Sequence, residues 1–567
     1  MTSYLVPPDA GADIQNRYAE ILPVHAALLP TDEVLYFSGD QFDPGQFAHR
    51  LFDHARLYDC SSGAISACKP APGITDLFCC GHARLPDGRV LIAGGTTHFA
   101  PYLGSPAAWI YGPEARSFNQ VADMREGRWY PTLLTLASGH VLAVSGLDAN
   151  AANTDQNRDL EVFRGDSWLV QGKVPEAFGT VYPRVHLLPD GRVLFVTPVG
   201  SQCATWRPGE PAPTPLCEPP TEAGAGFADY TSVLLPLLPE QNYTARVLVA
   251  NLAQPRLLDL SATAPRWTDT GRRHVPLDGI ISNPTPRRVN GLAVLLPSGD
   301  VLSCGGEEAY GDEAHPVHGL ELYRPQTNSW VTLPTRTIVT RAYHSVALLL
   351  PDGRVWIAGS NARCDWSFHD RADYKGKPLP TDEQEVKTEG GMPVPVDNRE
   401  LRIEIVEPWY VGRPDRPQFT TSTASLRVGG QLTLTLAGAE SVCRVAVLRA
   451  GSCTHAFDSD QRYVGLPFAQ QDLTLTVWLP ANENMLPPGP YLVFVVAQVV
   501  DPGTGAVLEV PSLGQWLLIG NGKQSEPEVD EATLNSVPIR PIDPDLLAEQ
   551  QGMEEGHAMG RSVAPAT

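Results

Sequence analysis

Short apolar runs alternate with tight polar turns along the chain, and one form of that alternation recurs. An apolar run meets an Asp-Gly or Ser-Gly turn, then a second apolar run that ends in glycine. The copies are HAALLPTDEVLYFSG (25–39), HARLPDGRVLIAGG (82–95), LLTLASGHVLAVSG (133–146), VHLLPDGRVLFVTPVG (185–200), SVLLPLLPEQNYTARVLVA (232–250), LAVLLPSGDVLSCGG (292–306) and SVALLLPDGRVWIAGS (345–360). Each reads as a β-hairpin, because glycine readily takes the positive φ that such turns need. Continuous apolar strands predict burial on both faces.

The copies follow one another at roughly 50–56 residues, a period of the size expected for propeller blades. Each copy predicts the two inner strands of a blade. Fainter phrases such as AAWIYGPEARSF, EVFRGDSW and ELYRPQTNSW predict the outer strands. The fold class is therefore all-β: a seven-bladed kelch-like β-propeller over 20–375, preceded by a lead-in at 1–19. A polar linker or insert occupies 376–399. From 400 to 520 the strands LRIEIVEPWYV, SLRVGGQLTLTLAG, VCRVAVLRAG, DLTLTVWLP, YLVFVVAQVV and GQWLLIG predict an immunoglobulin-like antiparallel β-sandwich. The acidic, Pro-rich tail at 521–567 has little to bury and is expected to be disordered or draped on the surface.

Composition narrows the partners. A chain of 567 residues suits two domains, and 50 glycines with 53 prolines suit many turns. The formal net charge of −22 disfavours nucleic acid and anionic membrane surfaces. The opening MTSYLVPPDAGADIQNRYAE lacks a basic segment followed by an apolar core, so no signal peptide is visible. The expectation is a cytoplasmic protein, or one exported by a non-standard route, and a monomer whose two domains bury each other. The ten cysteines show no zinc-type spacing. Cys60/Cys68 or Cys203/Cys217 could pair in an oxidising compartment; free thiols are the preferred reading.

Some blade positions carry residues that a structural hairpin does not require. TRAYHSVALLLPDGRV places Tyr343 and His344 just ahead of one pair of inner strands. REGRWYPTLLTL places Tyr130, and DLFCCGHARLPDGRV places Cys79, at the same point of two other blades. In a propeller those points cluster at one end of the central channel. The sandwich contributes GSCTHAFDSDQRY, a hairpin-like loop centred on His455. Two imidazoles and two phenols form the N,O set that copper(II) favours, and tyrosine is not a common zinc ligand. Any one of these residues is more often core or surface, so spacing alone leaves a metal site and a structural role both open.

The phrases DLFCCGH, GRWYP, AYHS and THAFDSDQR, in this order on a seven-repeat frame followed by a sandwich, resemble the galactose oxidase and glyoxal oxidase family of mononuclear copper radical oxidases. The likeness covers roughly 20–520, and GRWYP with GLD is closer to the glyoxal oxidase branch. It implies one copper ion and a built-in radical cofactor, a thioether between Cys79 and Tyr130. It further implies Tyr130, His344 and His455 as equatorial ligands, and Tyr343 as axial ligand and base. The implied reaction oxidises a primary alcohol or aldehyde with O2, giving aldehyde or acid plus hydrogen peroxide. Cys80 is read as a packed thiol that points away from the metal.

Two departures matter. The stretch VSGLDANAANTD holds no tryptophan where galactose oxidase has its stacking one, and strand alternation predicts that Trp129 faces away from Tyr130. Residues for sugar contact do not map, so a sugar is not the expected substrate. The alternative of a different class is a non-catalytic kelch-type propeller that binds a glycan or a protein. A zinc hydrolase would need a carboxylate-and-histidine motif that the chain lacks.

Overall fold

The computed structural model describes residues 1–5, 19–38, 55–69, 71, 73–99, 102–149, 156–175, 181–199, 202–220, 231–273, 287–309, 315–360, 387–389, 392–394, 400–438 and 441–520. Each apolar–turn–apolar copy forms a hairpin, and two further antiparallel strands extend it. Blades 1 to 7 start at the innermost strands His25–Leu29, Gly81–Arg84, Thr132–Thr135, Val185–Leu187, Ser232–Leu234, Leu292–Leu295 and Ser345–Leu349. Innermost strands pack against one another between blades 2 and 3, 3 and 4, 5 and 6, 6 and 7, and 7 and 1. The turn glycines take the left-handed conformation expected of them, as at Gly88 (φ 87°) and Gly353 (φ 89°); in blade 1, Asp32 does so at 58°. Asp tolerates that region better than most side chains.

Buried arginines bind the blades internally. Arg128 in blade 3 donates to the carbonyls of Ser145 and Asp159 and to Glu161. Arg288 in blade 6 does the same with Gly305, Gly319 and Glu321. Arg341 in blade 7 donates to the carbonyls of Gly359 and Arg402 and lies 3.7 Å from Glu404. Each guanidinium satisfies carbonyls at a strand end that water cannot reach.

Two boundaries differ from the sequence reading. The strand within LRIEIVE, expected to open the sandwich, is Glu404–Glu407 and pairs with Val355–Gly359 as the third strand of blade 7. Thr2–Leu5, expected in a lead-in, pairs with it as the fourth. The chain start thus closes the ring on a strand from far along the sequence, a pairing that local pattern cannot reveal. Within the expected insert, Lys387–Glu389 pairs with Met392–Val394; most of 361–399 and all of 521–567 lie outside the described residues.

The sandwich begins near Phe419. One sheet runs Phe419–Thr420, Gln431–Leu436, Thr474–Trp478, Phe468–Gln471; the other is centred on Gly489–Val500 and Ser441–Arg449. QLTLTL at 431–436 alternates exposed and buried, as a strand with one wet face should. Sandwich residues share hydrophobic clusters with the blades: Leu432 and Val477 with Leu194 and Val247 in one, Leu448 and Phe494 with Val346 and Ala347 in another.

One hairpin leaves the sandwich and enters the ring. Ser452–Thr454 pairs antiparallel with His25–Leu29, in the register His25 to Thr454 and Ala27 to Ser452. It covers the inner edge of blade 1, whose backbone groups would otherwise be unpaired. Its loop bonds round the bore. Asp460 accepts from Arg84 N in blade 2 (2.8 Å) and Thr135 Oγ1 in blade 3 (3.1 Å). Arg184 of blade 4 donates to His455 O (2.6 Å), and Gln461 exchanges bonds with Ala293 and Leu295 of blade 6. Asp458 accepts the backbone N–H groups of Ser452, Asp460 and Gln461, which fixes the loop from within.

Candidate metal centre

The position just ahead of the innermost strand has an unusual backbone in several blades. Cys79 (φ 59°), Tyr130 (65°), Tyr182 (45°), Asn290 (60°) and His344 (64°) occupy it in blades 2, 3, 4, 6 and 7, all left-handed and none a glycine. Each such residue costs on the order of 1–3 kcal/mol, so the surroundings must hold it in place. Inter-blade bonds contribute: Tyr130 N donates to Cys79 O and Tyr182 N to Tyr130 O, both at 2.8 Å. His455 at the plug tip is left-handed as well (φ 46°).

The result is convergence. The ligand atoms of Cys79, His344 and His455 all lie within 4.8 Å of one another, and all three residues are buried. The hydroxyls of Tyr130 and Tyr343 are 2.5 Å apart. The His455 ring sits 4.7 Å from His344 at 90°, 5.2 Å from Tyr130 and 5.4 Å from Tyr343. His344 stacks on Tyr343 at 3.7 Å. The Cys79 sulfur lies 3.8 Å from His455 Nε2 and is a hydrogen-bonding neighbour of the Tyr130 hydroxyl. All five residues singled out in the sequence are therefore gathered in one place, from blades 2, 3 and 7 and the plug. Tyr343 is the partly exposed member.

The donor set suits a copper ion. Burial, reinforced by His344, His25 and Arg184, holds the His455 pKa well below its ordinary value, so the ring is neutral and able to ligate. Its tautomer is set by a relay. Thr454 Oγ1 donates to Val24 O (3.1 Å) and so accepts from His455 Nδ1–H at 2.7 Å, which puts the ring's lone pair on Nε2, on the side of the Cys79 sulfur. Burial raises the Tyr130 phenol well above 10, with Cys79 and Tyr343 adding to the effect. An isolated phenol there stays protonated, and a bound cation is what would ionise it.

The sequence reading missed one member and misjudged another. Tyr182 lies 4.4 Å from the His455 ring and 4.8 Å from Tyr130, fully buried, with its hydroxyl donating to Cys80 O (2.7 Å). Its signal was present: the Tyr-Pro of GRWYP recurs at 182–183. Trp129, expected to face away from Tyr130, instead lies over it, with centroids 4.1 Å apart and planes at 32°. Alternation assumes extended backbone, and the left-handed turn at Tyr130 breaks it. Cys80 packs with Ala27, Leu29 and Leu77, in a different cluster from Cys79, its sulfur 3.9 Å from His25 Nε2.

Around the cluster, Leu22, Val24 and Phe78 complete an apolar wall, and Leu147, Val181 and Leu401 pack against it while partly exposed. No helix among the described residues is long and apolar enough to cross a membrane.

Comparison with known proteins adds to this geometry. The profile of the glyoxal oxidase N-terminus matches residues 41–382, and that of the galactose oxidase-like early set domain matches 416–518. An aldehyde oxidase of Vitis pseudoreticulata is 26% identical over 556 residues, spanning 90% of this chain and 96% of the relative. A galactose oxidase of Gibberella zeae is 23% identical, over 90% of this chain and 72% of the relative. A fungal alcohol oxidase solved in complex with copper superposes with a TM-score of 0.68 at 18% identity, covering 92% of this chain and 98% of that one, a likeness of fold.

Proposed function

The chain belongs to the glyoxal oxidase family, and from that premise we propose that it is a copper radical oxidase. It would oxidise small primary alcohols or aldehydes with O2 and release hydrogen peroxide. The observation that carries the reading is the convergence of Cys79, Tyr130, Tyr343, His344 and His455, from three blades and a plug, with all but Tyr343 on left-handed backbone. A glycan-binding propeller has no use for that set. Strain of this kind persists only where the surroundings over-determine it, and it clusters at functional sites.

His344 and His455 would hold the ion through imidazole nitrogens, and Tyr130 and Tyr343 through phenol oxygens. Copper, when bound, supplies a Lewis acid that acidifies the substrate hydroxyl and a one-electron acceptor. Tyr343, partly exposed, takes the hydroxyl proton at its Oη. Tyr130, which would be thioether-linked to Cys79, would take the hydrogen atom from the substrate carbon at its Oη. Trp129 lies over the Tyr130 ring, and Tyr182 flanks Tyr130 and His455, so both would keep water away from Tyr130 and hold its geometry. The partly exposed Leu147, Val181 and Leu401 support a substrate with a small apolar arm over a polyhydroxyl sugar.

The test is to load apo-protein with copper in air and digest it for mass spectrometry, alongside a peroxide-coupled screen of alcohols and aldehydes. The expected result is a Cys79–Tyr130 linked peptide, lighter by two hydrogens, that appears only after copper is added, with peroxide released on substrate. Copper binding without the link would remove the radical chemistry. Absence of both would leave a binding propeller.

A further inference from the structure

Blade 4 carries two cysteines outside the centre. Cys203 is the second residue of the strand Gln202–Trp206 and Cys217 closes the outermost strand Thr214–Cys217, and the two are direct cross-strand partners. A register irregularity just after Cys203 makes the match: Cys203 faces Cys217, while the next residue, Ala204, faces Pro215. Bulges of this kind re-aim a side chain. Residues directly opposite in an antiparallel pair have Cα atoms about 4.5–5.5 Å apart, inside the span that a disulfide bridges. The other candidate pair differs, since Cys60 and Cys68 pack in separate hydrophobic clusters.

The two thiols are unlike. Cys203 is fully buried, its sulfur 3.1 Å from Val196 O. Cys217 is 9% exposed and lines a cavity of about 480 Å³ with Arg256, Arg266 and Trp267. Their shared hydrogen bond raises the Cys203 thiol, with burial adding to it, and lowers that of Cys217. The thiol that a small oxidant can reach is therefore also the one that ionises more readily.

We propose that Cys203 and Cys217 form a peroxide-reactive dithiol that closes to a cross-strand disulfide, with Cys217 attacking and Cys203 resolving. The Cys217 thiolate attacks one oxygen of hydrogen peroxide. The O–O bond breaks, an S–O bond forms, and the departing hydroxide leaves as water with the thiol proton. The Cys203 sulfur then displaces the Cys217-bound hydroxyl as a second water, forming the S–S bond. Two thiols lose two electrons and two protons, and one peroxide becomes two waters. The bridge would tie the last two strands of blade 4 together. The pair needs only peroxide, from whatever source; that the oxidase reaction itself supplies it rests on the function proposed above.

The test adds hydrogen peroxide to pre-reduced, copper-free protein, then denatures, alkylates with N-ethylmaleimide and maps peptides. The expected product is a 203–217 peptide lighter by two hydrogens, refractory to alkylation until dithiothreitol is added. In Cys203→Ser, Cys217 should stop at a sulfenic acid that dimedone traps. In Cys217→Ser, oxidation of Cys203 should slow by at least about tenfold. Full alkylation of both thiols after peroxide, or oxidation of Cys217 to sulfinic acid without a link, would overturn the proposal. Equal reactivity of Cys203 in Cys217→Ser would overturn the assigned order. Wild-type peptide mapping decides the main point even if a variant fails to fold. Because no copper is present, failure here is independent of the oxidase reading.

Discussion

Blades 3 and 6 share a scaffold and differ in what they hold. In blade 3, Arg128 binds Ser145 O, Asp159 O and Glu161; in blade 6, Arg288 binds Gly305 O, Gly319 O and Glu321. Trp129 bridges to Leu147 as Val289 does to Glu307. The next residue is left-handed in both, Tyr130 at 65° and Asn290 at 60°. Yet Asn290 spends its amide on Glu307 (3.0 Å), while Tyr130 meets Tyr343 and Cys79. The repeat builds an inward-aimed, strained position in several blades. Chemistry enters only where the side chain at that position has partners across the ring.

Tyr130→Phe gives the sharpest break. It should lower peroxide production about a thousandfold or more, the scale of deleting a group that acts covalently in the reaction. Asn290→Ala should leave kcat unchanged and cost only stability, through the lost bond to Glu307 and alanine's poorer fit to left-handed backbone. A peroxide-coupled assay of both variants checks this, and comparable losses would refute the distinction between the two blades.

The arginines come next. Arg128→Ala removes the cation from the fully buried Glu161, leaving it the Arg125 N–H, and should cost about 3–5 kcal/mol in chemical denaturation. Arg288→Ala should cost less, because Arg273 also holds Glu321, at 2.7 Å. Only the first should also lower activity, since its backbone leads into Trp129 and Tyr130.

The plug offers a third measure. Thr454→Val removes the hydroxyl that sets the His455 tautomer and should weaken copper binding about 10–100-fold. Copper titration reads this directly, and an unchanged affinity would mean that His455 is oriented by its ring contacts alone.

The smallest effect is in pH. The inner strand of blade 6, Leu292–Leu295, is wholly apolar, whereas those of blades 2 and 4 bury His82 and His186. Burial lowers them to about 4 and about 3. Below the ordinary 6.5 the unfolded chain binds protons that the folded ring refuses, so stability falls as pH falls toward those values. The loss should be about 1 kcal/mol per histidine between about pH 7 and about pH 5.5. His82→Gln with His186→Gln should flatten the slope of melting temperature against pH.

Hairpin positions, turn glycines and buried strand pairs follow from near neighbours, which is why the seven copies are readable in the chain. Five residues of three types suited to copper chemistry are equally readable, and the resemblance attached roles to them. Tyr182 was overlooked although its Tyr-Pro repeats that of Tyr130, because nothing local distinguishes a tyrosine that meets His455 from one that fills a core. Trp129 was turned the wrong way because strand alternation fails at a left-handed residue.

The sequence by itself determined the blade period, the apolar inner strands and the supply of thiol, phenol and imidazole at blade entrances. Those depend on backbone preference and burial over a few residues. Tertiary structure alone decided that Thr2–Leu5 closes the ring on Glu404–Glu407, that the 452–458 hairpin enters the bore, and that Cys79 comes within 3.8 Å of His455. Such meetings join segments hundreds of residues apart. They exist because the closed ring and its plug leave each strained backbone one direction in which to point its side chain.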